Sequence, residues 1–356
     1  MKKWIALLAA MVMALSLCAC AKSKGEPPTV TPTVAPTEQV PTDPPQEPEP
    51  EKEPVFYLLR EISATLLNEI DYVDMSIRLQ YDADYRLIGT GHYEGDQLIT
   101  SIDYRPNTLD ILRQEGLSQD GNPMETFTYE YIEAGKVLTI RGVDPAGEEV
   151  YSQVYTYDED GLPSSVETFY DGQLSYWESY HYDENGYRDS FTSGDGSGNC
   201  YQDLRYQNVV EDGVLKAIIT LKNGEYWHTV AYNDQGKPIT EVQYDDNQQK
   251  TGTIQYTYTE TGKPLMQTHY NGEEQETYRV EYEYDVQDQL IRICRLRWGN
   301  LEQKAEYTYH EGRLLGYKSY THDQLDGEYT YLYEAVSIPV EQESVLSDIY
   351  AKLMQN

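Results

Sequence analysis

The sequence predicts an all-β fold: an array of about ten antiparallel β-hairpin repeats that form a long twisted sheet, with a short capping helix at each end. Three observations support this prediction. A tyrosine-centred motif recurs every 23 to 27 residues across residues 79–335. Around each copy, apolar and polar residues alternate with the period of a β-strand. Gly, Asp and Asn separate the alternating segments, where tight turns need them.

The repeat is anchored on one tyrosine per unit, usually the second of a Tyr-x-Tyr pair. Near-equal spacing over so many copies is typical of an array in which each unit is one supersecondary element. The anchors are Tyr81, Tyr104, Tyr131, Tyr157, Tyr182, Tyr206, Tyr232, Tyr258, Tyr284 and Tyr309.

Each unit contains two strands and two turns. In YRVEYEYD, which begins at Tyr278, aromatic or apolar residues alternate with Arg279, Glu281 and Glu283, as in a strand with one wet side. The Asp-x-x-Gly segments that follow the anchors favour tight turns, and a second signal such as YDGQ at 170–173 supplies the other turn. Whether the sheet is open, spiral or closed is not decided by these patterns.

Two amphipathic segments flank the array. In 55–78, an apolar stripe predicts an N-terminal capping helix; its members are Val55, Leu59, Ile62, Leu66 and Ile70. In 336–356, a second apolar stripe predicts a C-terminal helix. Repeat arrays need such ends to cover their terminal faces. The alternative for 341–353 is a helix that binds a partner, because groove recognition uses the same spacing.

At the level of motifs, the Tyr-x-Tyr-Asp-x-x-Gly units resemble the YD repeats of RHS-type proteins. The YNGE and YDGQ halves are similar to the MORN-like repeats of bacterial antitoxin-type proteins. The resemblance covers residues 79 to about 333. It implies a strongly twisted antiparallel sheet with a role in binding, display or encapsulation.

The N-terminal residues predict export and lipidation. Residues 1–19 have the basic start and short apolar run of a signal peptide. Leu17, Cys18, Ala19 and Cys20 resemble the lipobox of bacterial lipoproteins, which implies a diacylglyceryl group on Cys20. Pro, Thr and Glu dominate the rest of 20–54, as in an extended disordered stalk. We therefore expect the protein at the extracytoplasmic face of the cell membrane, held by its lipid.

Composition disfavours nucleic acid as a partner. The chain has 61 acidic and 27 basic residues, a formal net charge of -34, whereas phosphate binding needs clustered Lys and Arg. It also has 35 Tyr against 4 Phe. Tyr retains a hydroxyl that needs water or a partner, so this ratio predicts half-buried aromatic surfaces.

No catalytic signature is present, and no catalytic residue is predicted. The closely spaced acids Asp158 and Asp160, and Asp183 and Glu184, recur at turn positions, where turn chemistry explains them. Calcium at these acidic turns is a weaker alternative, and no other cofactor or metal is predicted. An exported glycan-active hydrolase remains the alternative from the enzyme class.

The leading hypothesis is a non-catalytic surface protein that binds an extracellular glycan, cell-wall polymer or protein through its aromatic sheet. An antitoxin-like binder that neutralises another protein is a further alternative. Aromatic faces stack on sugars and also dominate protein contacts. The candidate binding residues are Trp177, Trp227, Trp298, Tyr157, Tyr182, Tyr258 and Tyr284.

The two cysteines that lie beyond the predicted lipobox provide a test of the sheet geometry. Cys200 and Cys294 lie about seven or eight strands apart in the predicted meander, roughly 35 to 40 Å. A disulfide needs Cα atoms within about 7 Å. An open sheet therefore predicts two free thiols.

Overall fold

In the computed structural model, the described residues are 55–68 and 71–354, and they form 22 strands and one helix. The predicted signal peptide, the predicted lipidation site Cys20 and the whole predicted stalk lie outside them. The strands are β1 Phe56–Asn68, β2 Asp71–Tyr81, β3 Leu87–Glu94, β4 Gln97–Tyr104, β5 Ile111–Leu117, β6 Pro123–Glu133, β7 Lys136–Val143, β8 Glu149–Tyr157, β9 Pro163–Tyr170, β10 Gln173–Tyr182, β11 Arg188–Asp195, β12 Cys200–Glu211, β13 Val214–Lys222, β14 Glu225–Tyr232, β15 Pro238–Tyr244, β16 Lys250–Tyr258, β17 Pro264–Asn271, β18 Glu276–Tyr284, β19 Leu290–Arg297, β20 Asn300–His310, β21 Arg313–Thr321 and β22 Gln324–Val336. Helix α1 is Val340–Met354.

The strands form a closed antiparallel barrel. Each strand pairs with the next along the chain, and β1 pairs with β22 from Phe56 opposite Val336 to Leu66 opposite Gly327. The prediction of hairpin units is confirmed, but the prediction of an open twisted sheet of about ten hairpins is wrong. Closure gives the first and last strands a partner and so removes the two edges that an open sheet would expose.

β-Bulges provide a physical reason for closure. Every pairing except β1–β2 carries a register shift, usually beside a turn. In β7, for example, Leu138 is the extra residue between the pairs Glu130–Thr139 and Tyr131–Val137. A bulge bends its strand and increases the local twist. Repeated at nearly every hairpin, these bends add up to the curvature that a ring requires.

The predicted N-terminal helix is wrong, because residues 55–78 lie largely in β1 and β2. The same segment also alternates, with Ile62, Ala64 and Leu66 on one face and Ser63 and Thr65 on the other. Two neighbouring strands satisfy this period of two, whereas a lone helix would leave β22 unpaired. At the other end of the chain, α1 lies within the predicted helical segment.

The turns divide between two rims of the barrel. The proximal rim is the one at which β1 begins at Phe56, and it includes the turns that follow the anchor tyrosines, such as 158–162. The distal rim is opposite and includes the turns at 171–172, 223–224 and 298–299. Because the strands alternate in direction, each repeat contributes one turn to each rim.

Turn chemistry accounts for the acidic motifs. Asp158 Oδ1 accepts the N–H groups of Asp160 at 3.0 Å and Leu162 at 2.8 Å, and Gly161 adopts a φ of 75°. Asp183 makes the same pair of bonds in its own turn. These carboxylates therefore hold the five-residue turns in shape.

The barrel wall has two different faces. The tyrosine face carries the anchor tyrosines and the side chains that point to the same side of the sheet. The charged face is the other side, and it carries most of the Arg, Lys, Glu and Asp pairs. On β6, Phe127, Tyr129 and Tyr131 are half-buried, while Thr128 and Glu130 are exposed. Side chains converge on the concave side of a curved sheet and spread apart on the convex side. The tyrosine face is the more buried of the two faces, so we place it on the inside of the barrel.

The densest core lies under α1, on the tyrosine face near the proximal rim. Leu346, Ile349 and Tyr350 of the helix are buried against a cluster from β1 to β5 and β22. The Tyr81 hydroxyl donates to the Leu59 carbonyl at 2.6 Å and lies 2.9 Å from the Tyr350 hydroxyl. The helix therefore covers the strands that close the ring. The strand members of this cluster are Leu58, Leu59, Leu79, Leu87, Ile102, Tyr104, Ile111, Tyr331 and Val336.

Cys200 lies on β12 and Cys294 on β19, and both are free thiols. They stay seven strands apart in the closed barrel. The ring is therefore closed by the β1–β22 hydrogen bonds and not by a bridge between these two cysteines.

Candidate binding rim

The exposed aromatic residues of the described chain all lie at the distal rim. They belong to the hairpins β9–β10, β11–β12, β13–β14 and β19–β20, so they follow an arc of the rim. Successive hairpins along this arc are roughly 10 Å apart. The residues and their exposed fractions are Tyr170 at 55%, Tyr201 at 58%, Tyr226 at 50%, Trp227 at 41% and Trp298 at 59%.

Trp298 occupies an unfavourable backbone position. It is the first residue of the two-residue turn between β19 and β20 and has a φ of 50°, where other hairpins place Asp171 or Asn223. For an L-residue the left-handed conformation costs roughly 1 to 2 kcal/mol, and bulky side chains rarely adopt it. A residue kept in such a conformation while its ring stays in solvent suggests a functional reason.

The indole of Trp298 borders a groove of about 500 Å³. Arg297 Nε donates to Glu302 Oε2 at 3.1 Å, so these two charges offset each other. Burial lowers the pKa of His269, a shift that the nearby Glu241 carboxylate opposes. The Trp298 groove is therefore close to neutral and combines aromatic with planar polar side chains. Its lining is His269, Thr277, Tyr278, Arg297, Trp298, Glu302 and Gln303.

A second groove, of about 270 Å³, lies beside Trp227. Trp227 is the extra residue of a bulge between the pairs Thr220–His228 and Leu221–Tyr226, and a bulge can re-aim a side chain. The Gln248 side chain holds the backbone of Tyr226 by accepting its N–H at 3.0 Å and donating to its carbonyl at 3.1 Å. The wall of the Trp227 groove is thus fixed by the neighbouring turn.

A row of mostly polar side chains on the tyrosine face runs between the two grooves. Glu241 lies directly opposite Ile254, which lies opposite His269, which lies opposite Tyr278. Glu241 Oε1 accepts the Tyr256 hydroxyl at 2.6 Å, and its Oε2 lies 3.1 Å from His228 Nε2. His228 follows Trp227, and Tyr278 lines the Trp298 groove. The two grooves are therefore ends of one band across β14 to β20, roughly 29 Å apart along the rim.

The three predicted tryptophans have different surroundings. Trp177 is half-buried, its indole Nε1 donates to the Asp195 carbonyl at 3.2 Å, and a Cβ added at Gly194 would approach its ring to 2.8 Å. Trp177 therefore packs on the sheet. Trp227 and Trp298 remain exposed and line the two grooves.

The predicted tyrosines lie at the proximal rim, away from the two grooves. Hydroxyls of Tyr157, Tyr258 and Tyr284 donate to the carbonyls of residues 137, 238 and 264 at 2.7 to 2.8 Å. Tyr182 ends β10 in the equivalent place, opposite Arg188. The first three tyrosines therefore contribute hydrogen bonds to the wall of the barrel. None of the four lies beside the exposed tryptophans.

Sequence reasoning missed Tyr170, Tyr201 and Tyr226 as candidate site residues. Tyr170 directly precedes the distal turn Asp171–Gly172, and Tyr226 lies two residues after Gly224 of the turn at 223–224. The sequence signal that could have identified such residues is an aromatic residue beside the second turn of the unit, at the end of the hairpin away from the anchor tyrosine.

Within residues 55–68 and 71–354, no group of three or more His, Cys, Asp or Glu side chains is placed to hold a metal ion. The same part of the chain contains no helix that is both long and apolar enough to cross a membrane.

No family model matches the chain, and no curated protein matches it. Among solved structures, the crystal structure of TcdB2-TccC3 is similar at 14% identity and a TM-score of 0.28 over 74% of this chain and 20% of that one. A porin-like protein from Bacteroides uniformis ATCC 8492 is similar at 11% identity and a TM-score of 0.28 over 78% and 98%. The chain thus spans about a fifth of TcdB2-TccC3. Because these TM-scores are low, the assignment of the barrel fold depends only on the strand pairings of this chain.

Proposed function

We propose that this protein is a lipid-anchored cell-surface protein whose distal rim binds an extended extracellular glycan. The observation that carries the proposal is the confinement of the exposed aromatic residues to one rim. Aromatic rings offer flat apolar faces to the C–H faces of sugar rings, and their polar edges tolerate water.

The position at which β1 begins supports this orientation. The chain enters the barrel at Phe56, on the proximal rim. A stalk of residues 20–54, anchored through Cys20, would attach at that rim and leave the distal rim facing away from the membrane. At ~3.1 Å per residue, an extended stalk reaches on the order of 100 Å.

The chemistry of the grooves supports a sugar ligand. The Trp298 groove pairs an indole with Arg, Glu, Gln and His side chains, whose planar polar groups suit neighbouring hydroxyls. The net charge of -34 disfavours polyanionic polymers. Hairpins repeating at roughly 10 Å suit a polymer that presents one disaccharide unit after another.

The test is retention of the full-length protein, in detergent micelles, on an array of neutral and amino-containing polysaccharides. We expect Trp298→Ala and Trp227→Ala each to weaken binding by about tenfold, as for central aromatic contacts elsewhere. Val286→Ala, at an exposed proximal position, is the matched control and should bind as the parent does. Absence of retention on every glycan, or unchanged retention in both tryptophan variants, would contradict the proposal.

A Trp298→Asn variant separates binding from folding. Asn tolerates the left-handed conformation, so we expect about 1 kcal/mol more stability towards urea, together with glycan binding weakened about tenfold as in Trp298→Ala. Loss of stability in this variant would mean that the indole serves the fold.

A further inference from the structure

We propose that the Trp227 groove takes a protonated amino group carried by the bound glycan, so that the ligand is a polymer containing amino sugars with free amines. This inference rests on the proposed function and specifies the ligand. It is argued from the aromatic side of the groove, from its charge and from its contrast with the Trp298 groove.

Trp227 and Tyr226 line the aromatic side of the groove, and each has a further ring beside it. Trp227 is followed by His228, whose ring centroid lies 6.4 Å from that of the indole. Tyr226 and Tyr244 stand 6.2 Å apart with a tilt of 44°. Electron-rich ring faces attract ammonium groups within about 6 Å of the ring centroid. The groove already shows this preference, because Lys222 Nζ lies 5.9 Å from the Trp227 ring centre.

The opposite side of the groove is acidic. Its lining includes Glu225, Asp245 and Asp246 against the single base Lys222, which leaves a surplus of two negative charges. Asp245 Oδ1 accepts two backbone N–H groups of its own turn. Glu225 Oε2 accepts a long bond from the Gln248 side chain at 3.5 Å, and Glu225 and Asp246 are both exposed to solvent. The surplus charge excludes an anionic sugar and favours an ammonium group beside the indole.

The Trp298 groove lacks this surplus. There Arg297 is paired with Glu302, and the remaining polar groups are neutral. The two grooves therefore recognise different chemistry: a neutral sugar ring at Trp298 and an amine-bearing ring at Trp227.

The experiment compares chitosan oligosaccharides with fully N-acetylated oligosaccharides of equal length. The acetyl group removes the positive charge and keeps the sugar backbone. Binding to the full-length protein in detergent is measured at low and at high salt. We expect the deacetylated ligand to bind about fivefold more tightly at low salt, with the difference shrinking at high salt.

The deciding variant is Glu225→Gln/Asp246→Asn, which removes two charges and keeps the side-chain shapes. We expect it to abolish the preference for the amine, so that the two ligands bind equally. The matched control, Glu159→Gln/Asp160→Asn, removes two exposed acids at the proximal rim and should retain the preference.

Four outcomes would overturn the inference. One is equal binding of both ligands, and another is a preference that survives in Glu225→Gln/Asp246→Asn. Either would show that the groove does not recognise the amine, and neither would contradict the proposed glycan binding. Binding of neither ligand by the parent protein, together with no retention on the wider array, would overturn the proposed function itself. Binding of a lysine-rich peptide in place of either sugar would assign the groove to a protein partner.

Discussion

At the scale of single residues, the anchor tyrosines explain why the chain prefers Tyr to Phe. The paired ladder of β15 and β16 ends at Thr240 opposite Gln255. Beyond that point the strands separate, and the Tyr258 hydroxyl donates to the carbonyl of Pro238 at 2.7 Å. A phenyl ring would fill the same space and leave this carbonyl unpaired.

Replacement of Tyr258 by Phe should lower the free energy of unfolding by about 1 kcal/mol, the net value of one hydrogen bond. Urea denaturation followed by far-UV circular dichroism measures the change. Tyr226→Phe, at the exposed distal rim, serves as the matched control and should unfold at the parental midpoint. Equal midpoints for all three proteins would show that the hydroxyl of Tyr258 contributes nothing to stability.

At the scale of elements, α1 stabilises the place where the ring closes. Leu59 N–H donates to the Tyr350 hydroxyl at 3.2 Å, and the amide of Gln342 donates to the Tyr85 carbonyl at 3.0 Å. One helix thus contacts β1 and the turn after β2. Its acidic first turn and its Lys352 in the last turn suit the helix dipole.

Truncation of Leu346 to Ala should destabilise the barrel by about 2 to 5 kcal/mol, because this fully buried side chain would leave a cavity under the helix. Thermal unfolding of the full-length protein reports the loss. Val345→Ala, one position away and 36% exposed, is the control, and only a small change is expected. If both variants melt at the same temperature, α1 does not stabilise the closing strands.

At the scale of the whole molecule, the decisive contact is the β1–β22 pairing. It joins residues more than 260 positions apart in the sequence, whereas every other pairing joins strands that are neighbours along the chain. A barrel closed in this way places Ser63 opposite Thr330. In an open sheet, the same two residues would lie on opposite edges.

A double variant, Ser63→Cys/Thr330→Cys, should therefore form a disulfide under mild oxidation, because directly opposed strand residues have Cβ atoms about 4.5 to 5.5 Å apart. Peptide mass spectrometry without reduction detects the bridge. The control, Ser63→Cys/Thr257→Cys, places its second cysteine on β16 and should stay unbridged. Failure of the first pair to cross-link would indicate an open sheet.

Most of the local structure follows from the sequence. The alternation in 278–285 specifies a strand, and Asp158 with Gly161 specifies a turn, because these preferences depend on neighbouring residues only. The hairpins and their positions were therefore predictable. The segment 55–78 was not, because its apolar residues fit the helical and the strand period equally well, and only pairing with β22 decides between them.

The candidate site divides in the same way. The sequence by itself determined that Trp227 and Trp298 lie beside turns of hairpin repeats, and that acids at positions such as Asp158 belong to turns. Only the tertiary structure decided that the sheet closes, that Trp177 packs on Gly194, and that the exposed aromatics share the rim opposite the start of β1. The physical reason is range: turns and strands arise from contacts within one repeat, whereas closure and exposure depend on bends summed over 22 strands.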